Sequence, residues 1–162
     1  MSVIVVSDTS PIRALVHVNQ TELLSHIFGD VLIPPAVARE LEHPAPGYNR
    51  VRVHDYPFMR VVEPSPGPTL DSLRAQLDPG ESEAIALALE VGAAVLLIDE
   101  FKGRSVAAQM GVAVTGLLGL FRRAKEQGLI TQVRPLLDEL RSGLNFRVSD
   151  RLYSSFLSSV HE

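Results

Sequence analysis

Val3-Ile4-Val5-Val6 is an unbroken run of β-branched residues. Such a run forms a strand covered on both faces, because a strand with one wet face alternates apolar and polar residues instead. Val31-Leu32-Ile33, Val95-Leu96-Leu97-Ile98 and Val112-Ala113-Val114 repeat the pattern. Between and after these runs, apolar residues recur at helical spacing in Ile12 to Val18, Thr21 to Phe28, Pro35 to Glu42, Glu81 to Val91, Ser105 to Met110 and Leu117 to Gln127. Strands and helices in alternation assemble as parallel strands joined by crossover helices. The expected fold class is therefore α/β with three layers, a central mostly parallel sheet of four to five strands flanked by helices.

Two stretches depart from that alternation. From His43 to Pro68 the chain is rich in Pro and poor in helical periods, which reads as a long loop holding at most a short strand near Met59 to Val62. After Gly128 two further helices are expected, Thr131 to Ser142 and Ser149 to Val160. The second has Ser149 as N-cap and an apolar stripe of Leu152, Tyr153, Phe156, Leu157 and Val160. The stripe is open to two readings, ordinary packing or a partner-facing surface. At 162 residues the expectation is a single domain over 1–162, with a core at 2–128 and a C-terminal helical extension at 129–162.

Composition narrows the chemistry. The absence of Cys removes thiolate metal sites, Cys nucleophiles and disulfides, and suits a reducing cytoplasm. The start has no basic segment ahead of its short apolar run, and no apolar stretch approaches the roughly 20 residues of a membrane-spanning helix, so neither a signal peptide nor a membrane partner is expected. With 15 basic against 19 acidic side chains the net charge is −4, which opposes nucleic-acid binding through bulk positive charge but not a nuclease whose site is built from acids. There is no G-x-x-x-x-G-K-[ST] phosphate loop, no G-x-S-x-G elbow and no H-x-x-x-H pair, and the five histidines read as surface residues. A phosphatase of the haloacid-dehalogenase type places a second Asp where Ser10 stands.

Ligands of an open parallel sheet bind at the carboxyl ends of its strands. Asp8 follows the first apolar run and Asp99 the one at 95–98; Asp8 alone could equally be a helix cap. Glu40 shares a helix face with Val37 and Leu41, where an ionised acid is costly unless paired or bound to a metal. In Asp78-Pro79-Gly80-Glu81-Ser82-Glu83, Glu81 lies on the face of Ala84, Ile85 and Ala88, and Glu83 on that of Ala86, Leu87 and Glu90. The first face looks the more buried, which favours Glu81, although Glu83 stays open as the alternative. Hard oxygen donors select Mg²⁺ or Mn²⁺. Lys102, Arg104 and Arg13 lie close enough in sequence to these acids to grip phosphates, Arg122, Arg123 and Lys125 read as a solvated face, and Tyr48, Asn49, Arg50 and Arg52 of the long loop are further candidates for RNA contact.

Val5-Val6-Ser7-Asp8-Thr9-Ser10-Pro11, Ile33-Pro34-Pro35-x-Val37-x-x-Glu40-Leu41, Gly80-Glu81-x-Glu83-Ala84-Ile85-Ala86-Leu87-Ala88 and Leu97-Ile98-Asp99-Glu100 occur in the order seen in PIN-domain proteins. The chain most resembles the small bacterial and archaeal group related to VapC toxins, from Ser2 to about Gly128, and Phe146-Arg147-Val148-Ser149-Asp150-Arg151-Leu152-Tyr153 is also similar to that group. The resemblance implies a PIN-like fold and a Mg²⁺- or Mn²⁺-dependent endoribonuclease. It further implies the toxin of a VapBC-like toxin–antitoxin pair, with RNA as substrate, a small antitoxin protein as partner and a possible homodimer. By position, Asp8, Glu40, Glu81 and Asp99 match the family's four acids as catalytic residues and metal ligands. The third is commonly Asp in the toxins and is Glu here. Ser10 or Thr9, next to the first acid, and Thr115, after the last strand, are the expected hydroxyl contacts to water or phosphate, with Arg104 the expected cationic contact from its place after Asp99. A PIN-fold protein that binds RNA or protein without cleaving is the alternative.

Overall fold

Val5 and Val6, neighbours in the first apolar run, enter two different cores, because successive side chains of a strand point to opposite faces. In the computed structural model, which describes residues 3–43 and 46–162, β1 (Val5–Ser7), β2 (Val31–Ile33), β3 (Met59–Val61), β4 (Val95–Leu97) and β5 (Val114–Thr115) form one sheet. Its order is β3-β2-β1-β4-β5 and every pairing is parallel. Val5 is level with Val31 on one side and Val95 on the other. Met1, Ser2, Pro44 and Ala45 lie outside the described residues, and with them the first position of the expected core and part of the long loop.

Helices cover both faces. They are α1 (Thr9–His17), α2 (Glu22–Phe28), α3 (Pro35–Glu42), α4 (Pro68–Arg74), α5 (Pro79–Val91), α6 (Phe101–Gln109), α7 (Leu117–Glu126), α8 (Arg134–Gly143) and α9 (Asp150–Ser159). One core joins Val5, Val31, Ile33 and Leu97 of the sheet to Ile12, Leu24, Val37, Phe121, Leu137 and Phe156. The other joins Val6, Leu96 and Ile98 to Leu73, Ile85, Leu87 and Ala107. The result is the three-layer α/β arrangement with a fully parallel sheet of five strands. No helix of the described residues is long and apolar enough to cross a membrane.

Several details differ from the sequence reading, each for a local reason. Val3 and Ile4 are exposed and precede β1, although Ile4 still accepts a hydrogen bond from Ala94 N at 2.8 Å. The last strand begins at Val114, since Val112 is held by a turn, its N–H donating to Ala107 O at 3.0 Å. Helix α4 occupies a stretch with no expected helix; Pro68 at its first position takes a place where a missing N–H costs nothing. On α9, Ser149 accepts from Leu152 N at 3.1 Å as an N-cap. Phe156 and Val160 are buried and only Leu152, 49% exposed, stays open, so no continuous apolar stripe faces outward. The α7 cations stay at the surface, Arg123 exposed and Arg122 and Lys125 half-buried, but each has a partner. Arg122 lies over the Phe156 ring, Arg123 over Phe28, and Lys125 Nζ donates to the Glu162 carboxylate at 3.0 Å. Of the histidines, His17 is half-buried, with Nε2 2.9 Å from Glu139 Oε1.

Candidate active site

Strand order reverses between β1 and β4, and the crevice outside the carboxyl ends of two such strands is where an open α/β sheet binds ligands. Asp8 sits one residue past β1 and Asp99 two past β4, on either side of that crevice. Asp8 N donates to Leu97 O at 2.9 Å, so the pairing of the two strands runs up to the acid itself. The capping alternative fails for Asp8, which occupies the N-cap position of α1 but makes no side-chain capping bond.

Helices α3 and α5 bring further carboxylates to the same edge. Thr9, the residue after Asp8, donates its hydroxyl to Glu40 Oε2, and the Arg13 guanidinium donates to the Glu40 backbone carbonyl. Helix α5 starts with Asp78 as N-cap, accepting from Glu81 N at 2.8 Å. A fifth acid, Asp78, thus joins the four expected ones, and its only sequence signal was its place ahead of the Pro-Gly helix start.

Three of the carboxylates rest against glycines. A Cβ on Gly80 would lie 2.6 Å from Glu40 Oε2, one on Gly103 2.7 Å from Ile98 Cδ1 and 3.0 Å from Glu81 Oε2, and one on Gly116 2.5 Å from Arg104 Nη1 and 2.6 Å from Asp99 Oδ1. Close approach, rather than backbone conformation, is what requires glycine at these positions. The carboxylate of Asp99 is further held by the N–H of Leu117, at 2.8 Å from Oδ1, at the start of α7. Its second oxygen, Oδ2, is buried without a hydrogen-bond partner among the described residues.

Burial raises Asp8, Glu81 and Asp99 above the ordinary carboxylate range, and repulsion from neighbouring acids adds to it at Asp8 and Glu81. Asp8 is pushed up to about 7, chiefly by burial, with the charges of Asp78, Glu40 and Asp99 adding and the Thr9 backbone N–H opposing. Glu81 is pushed up to about 8 by burial, then by its hydrogen bond and repulsion with Asp78, with Asp8 and Glu100 contributing. Asp99 is raised by burial, against the pull of Leu117 N–H and Arg104.

Glu83 stands apart. It is as buried as Glu81, at 5% against 8% exposed, but its oxygens are taken: Ala36 N donates to Oε1 at 2.9 Å, and Arg74 and Arg39 approach Oε2 at 3.3 and 3.9 Å. A buried carboxylate persists when it is paired in this way. Glu83 ties α5 to α3 and α4, whereas Glu81 has acidic neighbours and no cation among the influences on it.

Beside Asp99 opens a groove of about 970 Å³. Ser10, Arg104 and Thr115 all line it, as do Arg13, Tyr48, Phe101, Phe146 and Arg147. Lys102, at an exposed position of α6, is not part of this lining. From the long loop Tyr48 reaches the groove and stacks under Arg13, 4.9 Å from its ring centre, while Arg50 and Arg52 lie with Arg39 and His43 around a separate hollow. Phe101 carried no sequence signal, since a lone aromatic at a helix start fits no motif.

The donor set fits a hard divalent cation in kind: carboxylate oxygens, one of them buried and unpartnered, and more negative charge than nearby arginines offset. The acids are neighbours without forming a closed cage, for no three His, Cys, Asp or Glu among the described residues already stand at the spacing of one ion.

Residues 4–162 match the family model described as PIN domain. No curated protein matches the chain.

Proposed function

The chain belongs to the PIN-domain family, a nuclease-type fold, and on that premise we propose that it is a metal-dependent endoribonuclease. Asp8, Glu81 and Asp99, with Glu40 beside them, would hold Mg²⁺ or Mn²⁺. The observation that carries this reading is the seating of three carboxylates on glycines at one sheet edge, with Asp99 Oδ2 buried and unpartnered. A buried oxygen without a partner is costly unless a ligand completes it.

A bound divalent cation offsets the carboxylates' charge, polarises a phosphoryl oxygen and lowers the pKa of a water molecule. The protein's own residues do the rest. Arg104 and Arg13 grip phosphate oxygens, as planar guanidinium forks do. Ser10 and Thr115, which both line the groove, add hydroxyl donors, and Thr9 fixes the orientation of Glu40. The reaction is hydrolysis: a water oxygen bonds to phosphorus as the bond to the 3′ oxygen breaks in line. One proton of the water leaves toward a carboxylate and one reaches the 3′ oxygen, which gives a 5′-phosphate and a 3′-hydroxyl.

The physiological role we propose, as the toxin of a toxin–antitoxin pair acting in the cytoplasm, rests on the sequence resemblance to VapC-related proteins. Expression without a partner should then arrest growth, and the Asp8→Asn chain should not.

Incubation of the purified protein with single-stranded and structured RNAs tests the enzymatic reading. Cleavage should require Mn²⁺ or Mg²⁺ and vanish with EDTA and in Asp8→Asn. Cleavage that persists in either would sink the assignment, and RNA bound but left intact in Mn²⁺ would favour the non-cleaving alternative.

A further inference from the structure

Phe101 is 84% exposed, the largest exposure of any large apolar side chain among the described residues, in a chain with only 6% aromatic residues and no Trp. It is the first residue of α6, two after Asp99, and it lines the same groove as Asp99, Arg13, Arg104 and Arg147. No core packing explains it. An aromatic ring held out of the core at the rim of a groove with three arginines has the composition of a platform for a base on a charged backbone.

The spacing supports one occupant. Phe101 and Arg104 are three apart on α6 and therefore neighbours on one helix face, about 5–6 Å between their Cβ atoms. Arg104 Nη1 lies 2.5 Å from the point where a Cβ on Gly116 would stand, and Asp99 Oδ1 lies 2.6 Å from the same point. A carboxylate, a guanidinium and an aromatic ring thus line one groove within a few residues of each other. That set of chemistries matches the phosphates and a nucleobase of a single strand whose bases are unstacked.

We propose that Phe101 is a nucleobase-binding subsite, stacking one unpaired base next to the phosphate gripped at Asp99 and Arg104 and so setting which bond is presented to the acids. This rests on the nuclease reading for the identity of the phosphate, but the stacking is measurable without cleavage. A paired base cannot reach the ring, so the subsite selects unpaired nucleotides. A nucleotide lacking its base should lose the contact while keeping its phosphates.

The test uses the full chain with Phe101→Trp, which places the only Trp of the protein at the subsite. In Mn²⁺, a short single-stranded oligoribonucleotide should quench its fluorescence, and the same sequence as a duplex should not. Moving one abasic site along the oligonucleotide should abolish quenching at a single position and slow cleavage of the adjacent bond. Phe101→Ala should weaken binding of the intact oligonucleotide about ten-fold and bind the abasic one as the parent protein does. At so exposed a position, thermal unfolding should be unchanged. Cleavage by the Phe101→Trp protein with its indole fluorescence unquenched, or quenching equal for all abasic positions, would overturn the subsite and leave the nuclease reading standing. Quenching without cleavage would support the subsite and overturn the nuclease reading. Fluorescence that answers to neither RNA form, with no cleavage, overturns both.

Discussion

Replacing Gly80 by alanine isolates the position of one carboxylate from its presence. The new Cβ would stand 2.6 Å from Glu40 Oε2 and 2.7 Å from Oε1, and ordinary contact begins at 3.4 Å, so the carboxylate must withdraw by about 0.8 Å. The obstructed atoms are the far end of a flexible side chain, which lets the fold yield cheaply. Gly80 also lies in the first turn of α5, where alanine is the better helix former by up to about 1 kcal/mol. Thermal stability should therefore be unchanged or slightly raised, at about 2–4 °C per kcal/mol for a chain of this size. Catalysis should suffer, because a displacement near 1 Å in a reacting constellation costs about 10²-fold. The assay pairs a thermal melt with the Mn²⁺-dependent RNA cleavage rate. A Gly80→Ala protein that melts like the parent and cleaves at the parent rate would refute the placement of Glu40 in the machinery. A fall in melting temperature that parallels the loss of cleavage would refute the packing argument.

Asp8 and Glu81 keep protons up to about pH 7 and about pH 8 in the folded state, against about 3.9 and 4.3 when unfolded. The folded chain binds the extra protons, so metal-free stability should fall as pH rises from about 4 through 8. Melting at pH 5.5 and 8.5 should show this, with Mn²⁺ restoring stability chiefly at the higher pH and Asp8→Asn flattening the metal-free profile. Glu83→Gln should cost about 1–3 kcal/mol in urea unfolding, by weakening the ties to Ala36 N, Arg74 and Arg39, while the folded fraction keeps its cleavage rate. Glu162→Gln should cost a similar amount, since that carboxylate accepts from Val133 N at 2.7 Å, Arg134 N at 2.9 Å and Lys125 Nζ at 3.0 Å. Those bonds and Lys125 hold its pKa down despite its burial, so its contribution should be full above about pH 4.3 and disappear on further acidification.

The sheet was legible because β1, β2 and β4 are short, apolar and covered on both faces, which leaves no polar alternation to confuse with a helix. Helix α3 was read to its bounds from Pro35 at its start and the Pro-rich stretch that follows from His43. Helix α4 was hidden by the prolines around it and by an apolar face reduced to Leu70 and Leu73. The choice between Glu81 and Glu83 lay beyond face counting, because α5 is buried from Gly80 to Ala88 on every side. What separates the two glutamates is Arg74 and Arg39, which reach Glu83 from other helices. The glycine cradles under Glu40, Glu81 and Asp99 were equally invisible, since each joins residues that lie far apart in the sequence and meet only in the fold.

Anomalous scattering from Mn²⁺ soaked into crystals of the protein addresses the central claim most directly. A Mn²⁺ peak within coordination distance of Asp8, Asp99 and Glu81, with Glu83 still paired to Arg74, is the expected result. A cleavage-active preparation whose crystals bind Mn²⁺ elsewhere, or not at all, would contradict it.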